Sequence, residues 1–95
     1  MEGLELLQFL GSPIRLNILV YLLEHGETCV NDIVEALGIN QPSASIHLVM
    51  GYRYGYLNRQ ARGTQRYYSI GSPLVKEVLT LLKERGVLDL SLIHI

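Results

Sequence analysis

The run CVNDIVEALGINQPSASIHL, Cys29 to Leu48, decides the fold. Val30, Ile33, Val34 and Leu37 recur at helical spacing and stop at Gly38, and Thr28 just ahead of them has the hydroxyl of an N-cap. Gly38, Ile39 and Asn40 then form a three-residue turn. Asn40 is a capping residue, Pro42 suits a first helical turn, and Ala44 and Leu48 fall on one side of the helix that follows. Two short helices joined by a tight, glycine-containing turn predict a helix-turn-helix. The second helix of such a pair presents its amino-terminal end to the major groove of DNA. Here that end carries Gln41, Ser43, Ala44, Ser45 and His47. Glutamine pairs with adenine, serine contacts phosphate or base, and a methyl such as that of Ala44 meets thymine, so these five are the expected groove residues. The plain alternative for Ser43 and Ser45 is a solvated helix face.

Downstream of Gly55 the pattern changes from helical to alternating. Tyr56 to Gln60 and Gln65 to Ile70 predict two strands joined through Ala61, Arg62, Gly63 and Thr64, with Gly63 supplying the positive φ of a hairpin turn. Charge separates this region from the rest of the chain. Between Ala36 and Val75 there is no Asp or Glu, although the protein has nine, and Arg53, Arg59, Arg62 and Arg66 lie in that stretch. The formal net charge of -1 therefore conceals a dipolar molecule. Arg59, Arg62, Thr64 and Arg66 on the hairpin, with Arg53 flanking it, are the expected contacts to the DNA backbone or a narrow minor groove.

Upstream, Glu2 to Leu10 predicts a short helix with Leu4, Leu7 and Phe9 or Leu10 on one face, ended by Gly11. Ser12 and Pro13 open another, running to about His25 with Ile14, Ile18, Leu19 and Leu22 inward. Ser72 and Pro73 repeat the cap-plus-proline signature, and a last helix runs toward Gly86 with apolar residues on more than one face. The expected architecture is mostly α with a β-hairpin wing, a winged helix-turn-helix ordered α-α-α-α-β-β-α over residues 1–95 as a single domain. A chain of 95 residues buries only about 60 to 65% of its unfolded surface, so association is expected. Val87 to Ile95 is apolar enough to extend an interface or add a strand.

From Leu10 to Ile70 the chain resembles the ArsR/SmtB-type winged-helix repressors. The resemblance rests on the proline and arginine at Pro13 and Arg15, the Cys29–Leu48 run, Gly55 to Leu57, and a wing ending in Arg66, Tyr67 and Tyr68. It implies a homodimer formed through helices at about 2–10 and 73–85, with Leu4, Leu7, Leu74, Val78, Leu81 and Leu82 at the interface. It also implies repression from a palindromic double-stranded DNA operator, relieved by an inducer that the sequence does not identify. The departures matter too. Asn31 stands where a second cysteine would accompany Cys29, and no His or Asp lies between Ser72 and Gly86, so neither a metal nor another cofactor is expected. Gly51 replaces a leucine and predicts a bent or loosened end to the recognition helix, and Ile46 replaces a polar residue.

Other function classes fit less well. There is no Gly-rich phosphate loop, no carboxylate pair at catalytic spacing and no nucleophile with an evident His and acid, which excludes an enzyme reading. One cysteine gives no internal disulfide, no run approaches the roughly 20 apolar residues of a membrane span, and Glu2 and Glu5 stand where a signal peptide is basic; a cytoplasmic protein is expected. Five of the six tyrosines lie between Tyr52 and Tyr68, interleaved with arginine. That mixture also suits stacking of single-stranded bases, or docking of a protein partner, against the simpler reading that Tyr56 and Tyr68 pack the wing onto the body.

Overall fold

A computed structural model describes residues 2–86; the expectation for Val87 to Ile95 lies outside the described residues. Five helices and three strands follow one another as α1 (Glu2–Leu10), α2 (Pro13–His25), β1 (Thr28–Cys29), α3 (Val30–Leu37), α4 (Gln41–Arg53), β2 (Leu57–Arg62), β3 (Gln65–Ile70) and α5 (Pro73–Glu84). Three helices begin as their caps dictate. Ser12, Asn40 and Ser72 accept from the backbone N–H groups of Arg15 at 3.3 Å, Ser43 at 2.8 Å and Val75 at 3.2 Å, each satisfying a donor that a helix start leaves without a partner.

The start of α3 differs from expectation. Thr28 does not cap it: with Cys29 it forms β1, paired antiparallel to β3 so that Thr28 lies opposite Tyr68, and its Oγ1 donates to the Gly26 carbonyl at 2.9 Å. Cys29 takes the N-cap position without a side-chain bond. The wing is thereby an edge of a three-stranded sheet ordered β1-β3-β2 rather than a detached hairpin. Its turn is also shorter than expected. Pairing runs from Leu57 opposite Ile70 to Arg62 opposite Gln65, leaving only Gly63 and Thr64 as the loop. Gly63 has φ of 62° and Thr64 does not have a positive φ, the pattern of a type II′ turn, which matches strand twist.

Around α2 the core closes from several sides: Ile18, Leu19 and Val20 are consecutive and all buried, and α1, α3, α5 and β3 pack against the helix. On α1 the inward pair is Leu6 and Phe9, so Leu4 and Leu7 point outward; Ile14, expected inward, is exposed. Gly51 is buried. A Cβ there would lie 2.6 Å from Leu57 Cδ1 and 3.2 Å from Phe9 Cζ, so the missing side chain is what lets β2 approach the helix. α4 continues through Gly51 to Arg53 as α-helix instead of breaking there.

Candidate nucleic-acid interface

Ala44, Leu48 and Gly51 form the buried line of α4, at spacings of four and three residues. The series two residues earlier, Pro42, Ile46, Val49 and Arg53, has the same spacing and falls on the opposite side, forming a crest that faces away from the body. Pro42, Ile46 and Arg53 on it are exposed. Ala44 is a correction to the expected groove set: it has no exposed surface, packs in the core, and cannot reach a thymine methyl. The crest itself is what the sequence reading missed, although the signal was present as that series of residues.

The remaining expected residues divide between two flanks. Gln41 and Ser45 line a cleft of about 340 Å³ between α4 and the wing, which Asn31, Thr64 and Arg66 also line. Gln41, Thr64 and Arg66 are exposed and Ser45 half-buried. Ser43 and His47 lie on the other flank. His47 turns toward the body, its Nδ1 3.2 Å from Arg15 Nη1. Burial first, and the charge of Arg15 second, lower the His47 pKa from its ordinary value. A charged guanidinium can donate only to an unprotonated ring nitrogen, so this contact corresponds to the neutral imidazole with its proton on Nε2.

Arg15, quoted in the sequence only as part of a motif, proves to be the joint beneath α4. Its Nε donates to the Phe9 carbonyl, its Nη2 to the Gln8 carbonyl at 3.3 Å, and its Nη1 to Met50 Sδ at 3.2 Å, while the guanidinium lies 4.7 Å from the centroid of the Phe9 ring. The last carbonyls of α1 lack helical partners and carry the negative end of its dipole, so a cation is the natural group to hold them. Desolvation lowers the Arg15 pKa, with the Tyr54 hydroxyl acting in the opposite sense.

On the wing, the arginines are not equivalent. Arg62 Nη2 bonds Glu27 Oε1 at 2.7 Å and Gln60 Oε1 at 3.0 Å, with its guanidinium 4.6 Å from the Tyr67 ring. The acid-free stretch is therefore compensated across the sheet by a carboxylate 35 positions away, a pairing that no local pattern announces. Arg59 lies over the Tyr52 ring at 4.0 Å, and hydrogen bonding with Tyr68 raises its pKa. Among the described residues no carboxylate pairs with Arg53 or Arg66. Tyr56 and Tyr68 are buried, the former donating to Glu5 Oε1 at 3.3 Å. The expected interface leucines Leu4, Leu7, Leu74 and Leu81 are exposed, with Val78 and Leu82 half-buried beside the last two.

Among the described residues no three His, Cys, Asp or Glu side chains converge as a metal site, and no single helix is long and apolar enough to cross a membrane. A helix-turn-helix with its second helix standing clear of the body, beside an arginine-bearing hairpin, defines the winged-helix class of regulator.

Comparison with known proteins identifies the family. Residues 12–50 match the bacterial regulatory proteins of the arsR family. The chain is 36% identical over 83 residues to an HTH-type transcriptional regulator of Methanocaldococcus jannaschii, covering 87% of this chain and 93% of that protein. It is 36% identical over 81 residues to the transcriptional repressor PagR of Bacillus anthracis, covering 85% of this chain and 81% of PagR. The crystal structure of PagR superposes with a TM-score of 0.76 at 35% identity, over 84% of this chain and 91% of that one. HlyU from Vibrio cholerae superposes at 0.83 with 28% identity, over 90% and 92%. The protein belongs to the ArsR family, whose members are transcription regulators and not enzymes.

Proposed function

We propose that this protein represses transcription in the cytoplasm by binding double-stranded DNA as a homodimer on a pseudo-palindromic operator. The observation that carries the reading is the crest of α4, turned away from the core and bounded on one side by the polar cleft and Arg66 of the wing. An α-helix so presented fits the major groove, and short neutral side chains at its start, Ser43 and Ser45, allow close approach. Gln41 and Ser45 are the base-reading residues of this model. Arg53, Arg66 and Thr64 bind backbone, and Arg62 joins them by exchanging Glu27 for phosphate. Ser43 and His47 serve the phosphate flank.

The exposed leucines of α1 and α5 form the dimer contact, with Val78 and Leu82. Both helices pack on α2, so one continuous apolar surface can meet its own copy by two-fold symmetry. The two copies of α4 then enter successive major grooves about 34 Å apart. The single-stranded alternative has less support, because Tyr56 and Tyr68 are buried and Tyr52 and Tyr67 have guanidinium groups against their rings. Selection of genomic fragments by the purified protein across a salt series, followed by sequencing, tests the proposal. A shared palindrome supports it; absence of enrichment at every salt concentration refutes it.

A further inference from the structure

Ile46 is 61% exposed at the middle of the crest, and nothing in the fold of one subunit accounts for it. It contributes little to the core, and isoleucine is a poorer helix former than alanine, leucine or arginine, so neither burial nor helix propensity selects it there. Nor does it belong to the apolar surface assigned to dimerisation, which lies on α1 and α5. Around it, Val49 and Met50 continue an apolar groove along α4 that ends at the uncompensated Arg53 and is edged by Ser45. An apolar strip closed by a cation, on a helix segment without a carboxylate, is complementary to one surface in particular. In the major groove each thymine presents a methyl group beside hydrogen-bonding base edges, and phosphates line the rim.

We infer that Ile46, backed by Val49, reads a thymine methyl group in each operator half-site while Arg53 takes a phosphate at the groove edge. This rests on the DNA-binding reading above. It replaces the buried Ala44 with a side chain that reaches the groove, and makes an apolar contact, rather than a polar one, the discriminating event at that base pair.

Replacing thymine by uracil removes the methyl and leaves the hydrogen-bonding edge intact, so the selected operator is resynthesised with single T-to-U changes. At one position per half-site, uracil is expected to weaken wild-type binding about fourfold, the effect of removing one buried methyl. Ile46→Ala is expected to bind the thymine operator with similarly reduced affinity and to be indifferent to uracil there. Ile46→Val should retain most of the sensitivity. Circular dichroism of both variants checks that the exposed substitution leaves the fold intact. Equal uracil penalties in wild type and Ile46→Ala overturn the inference while leaving DNA binding standing. So does wild-type indifference to uracil at every position, which would assign the apolar strip to a protein partner. Failure of the wild type to bind any DNA overturns both this inference and the function on which it rests.

Discussion

At residue scale, two side chains near the recognition helix carry measurable consequences. Gly51 sits where a methyl group would collide with Leu57, itself buried. Gly51→Ala gains about 1 kcal/mol in helix propensity, but overpacking costs about 1–3 kcal/mol. The clash is expected to win, lowering stability by about 1 kcal/mol in denaturant titration, with Gly51→Leu lower still. His47 makes stability depend on acidity. Its folded-state pKa lies below the ordinary value of 6.5, so the unfolded chain takes up a proton first as pH falls. The associated stability is therefore complete above about pH 6.5 and is lost as pH drops through the lower folded value. Melting curves between pH 7.5 and 5 should show this loss, and His47→Gln should flatten it; an unchanged slope would remove His47 as the cause.

At the scale of elements, the wing is the part whose behaviour its composition describes least well. Four arginines in an acid-free stretch suggest uniform attraction to phosphate, yet Arg62 is paired with Glu27 before any DNA arrives. A part-exposed pair of this kind contributes about 0–1 kcal/mol, so phosphate can displace it, but its rupture offsets some of the gain. Arg66→Ala is expected to weaken all duplexes and reduce the log-log salt slope by about 0.9. Arg62→Ala should weaken binding less than Arg66→Ala. Glu27→Gln should tighten binding a few-fold and steepen the slope, as fluorescence anisotropy at several salt concentrations would show; weaker binding by Glu27→Gln would mean that the pair positions the wing instead of restraining it. The same element marks where sequence reading stops. Ser12, Asn40 and Ser72 announced their helices because a cap acts within three residues. The two-residue strand β1 is too short to display alternation, and its existence depends on β3 some 40 positions later. Ala44 was open to two readings because a small side chain at a helix start suits a groove as well as a core; only packing against Leu48 and its neighbours assigns it. The Ile46 line was legible from spacing alone, but it was obscured by the expectation that groove residues are polar.

For the whole molecule, the apolar residues left outside the core gather on the terminal helices as Leu4, Leu7, Leu74 and Leu81. A variant carrying Leu7→Glu and Leu81→Glu is expected to remain folded, since both positions are exposed in one subunit, and to sediment as a monomer. Its affinity for the full palindrome should fall about a hundredfold or more while half-site affinity persists, because the second contact ceases to be intramolecular. A dimeric variant would redirect the search for the interface. The joint at Arg15 extends this reasoning from assembly to control. One guanidinium grips the frayed end of α1, on the side where a second subunit would sit, and also the underside of the helix that would read DNA. Strain entering at either end must be shared with the other, and such sharing is symmetrical: whatever DNA does to the seam between subunits, a change in that seam does to DNA by the same factor. A release mechanism in this chain thus has a mechanical route available that requires no metal ligand at all.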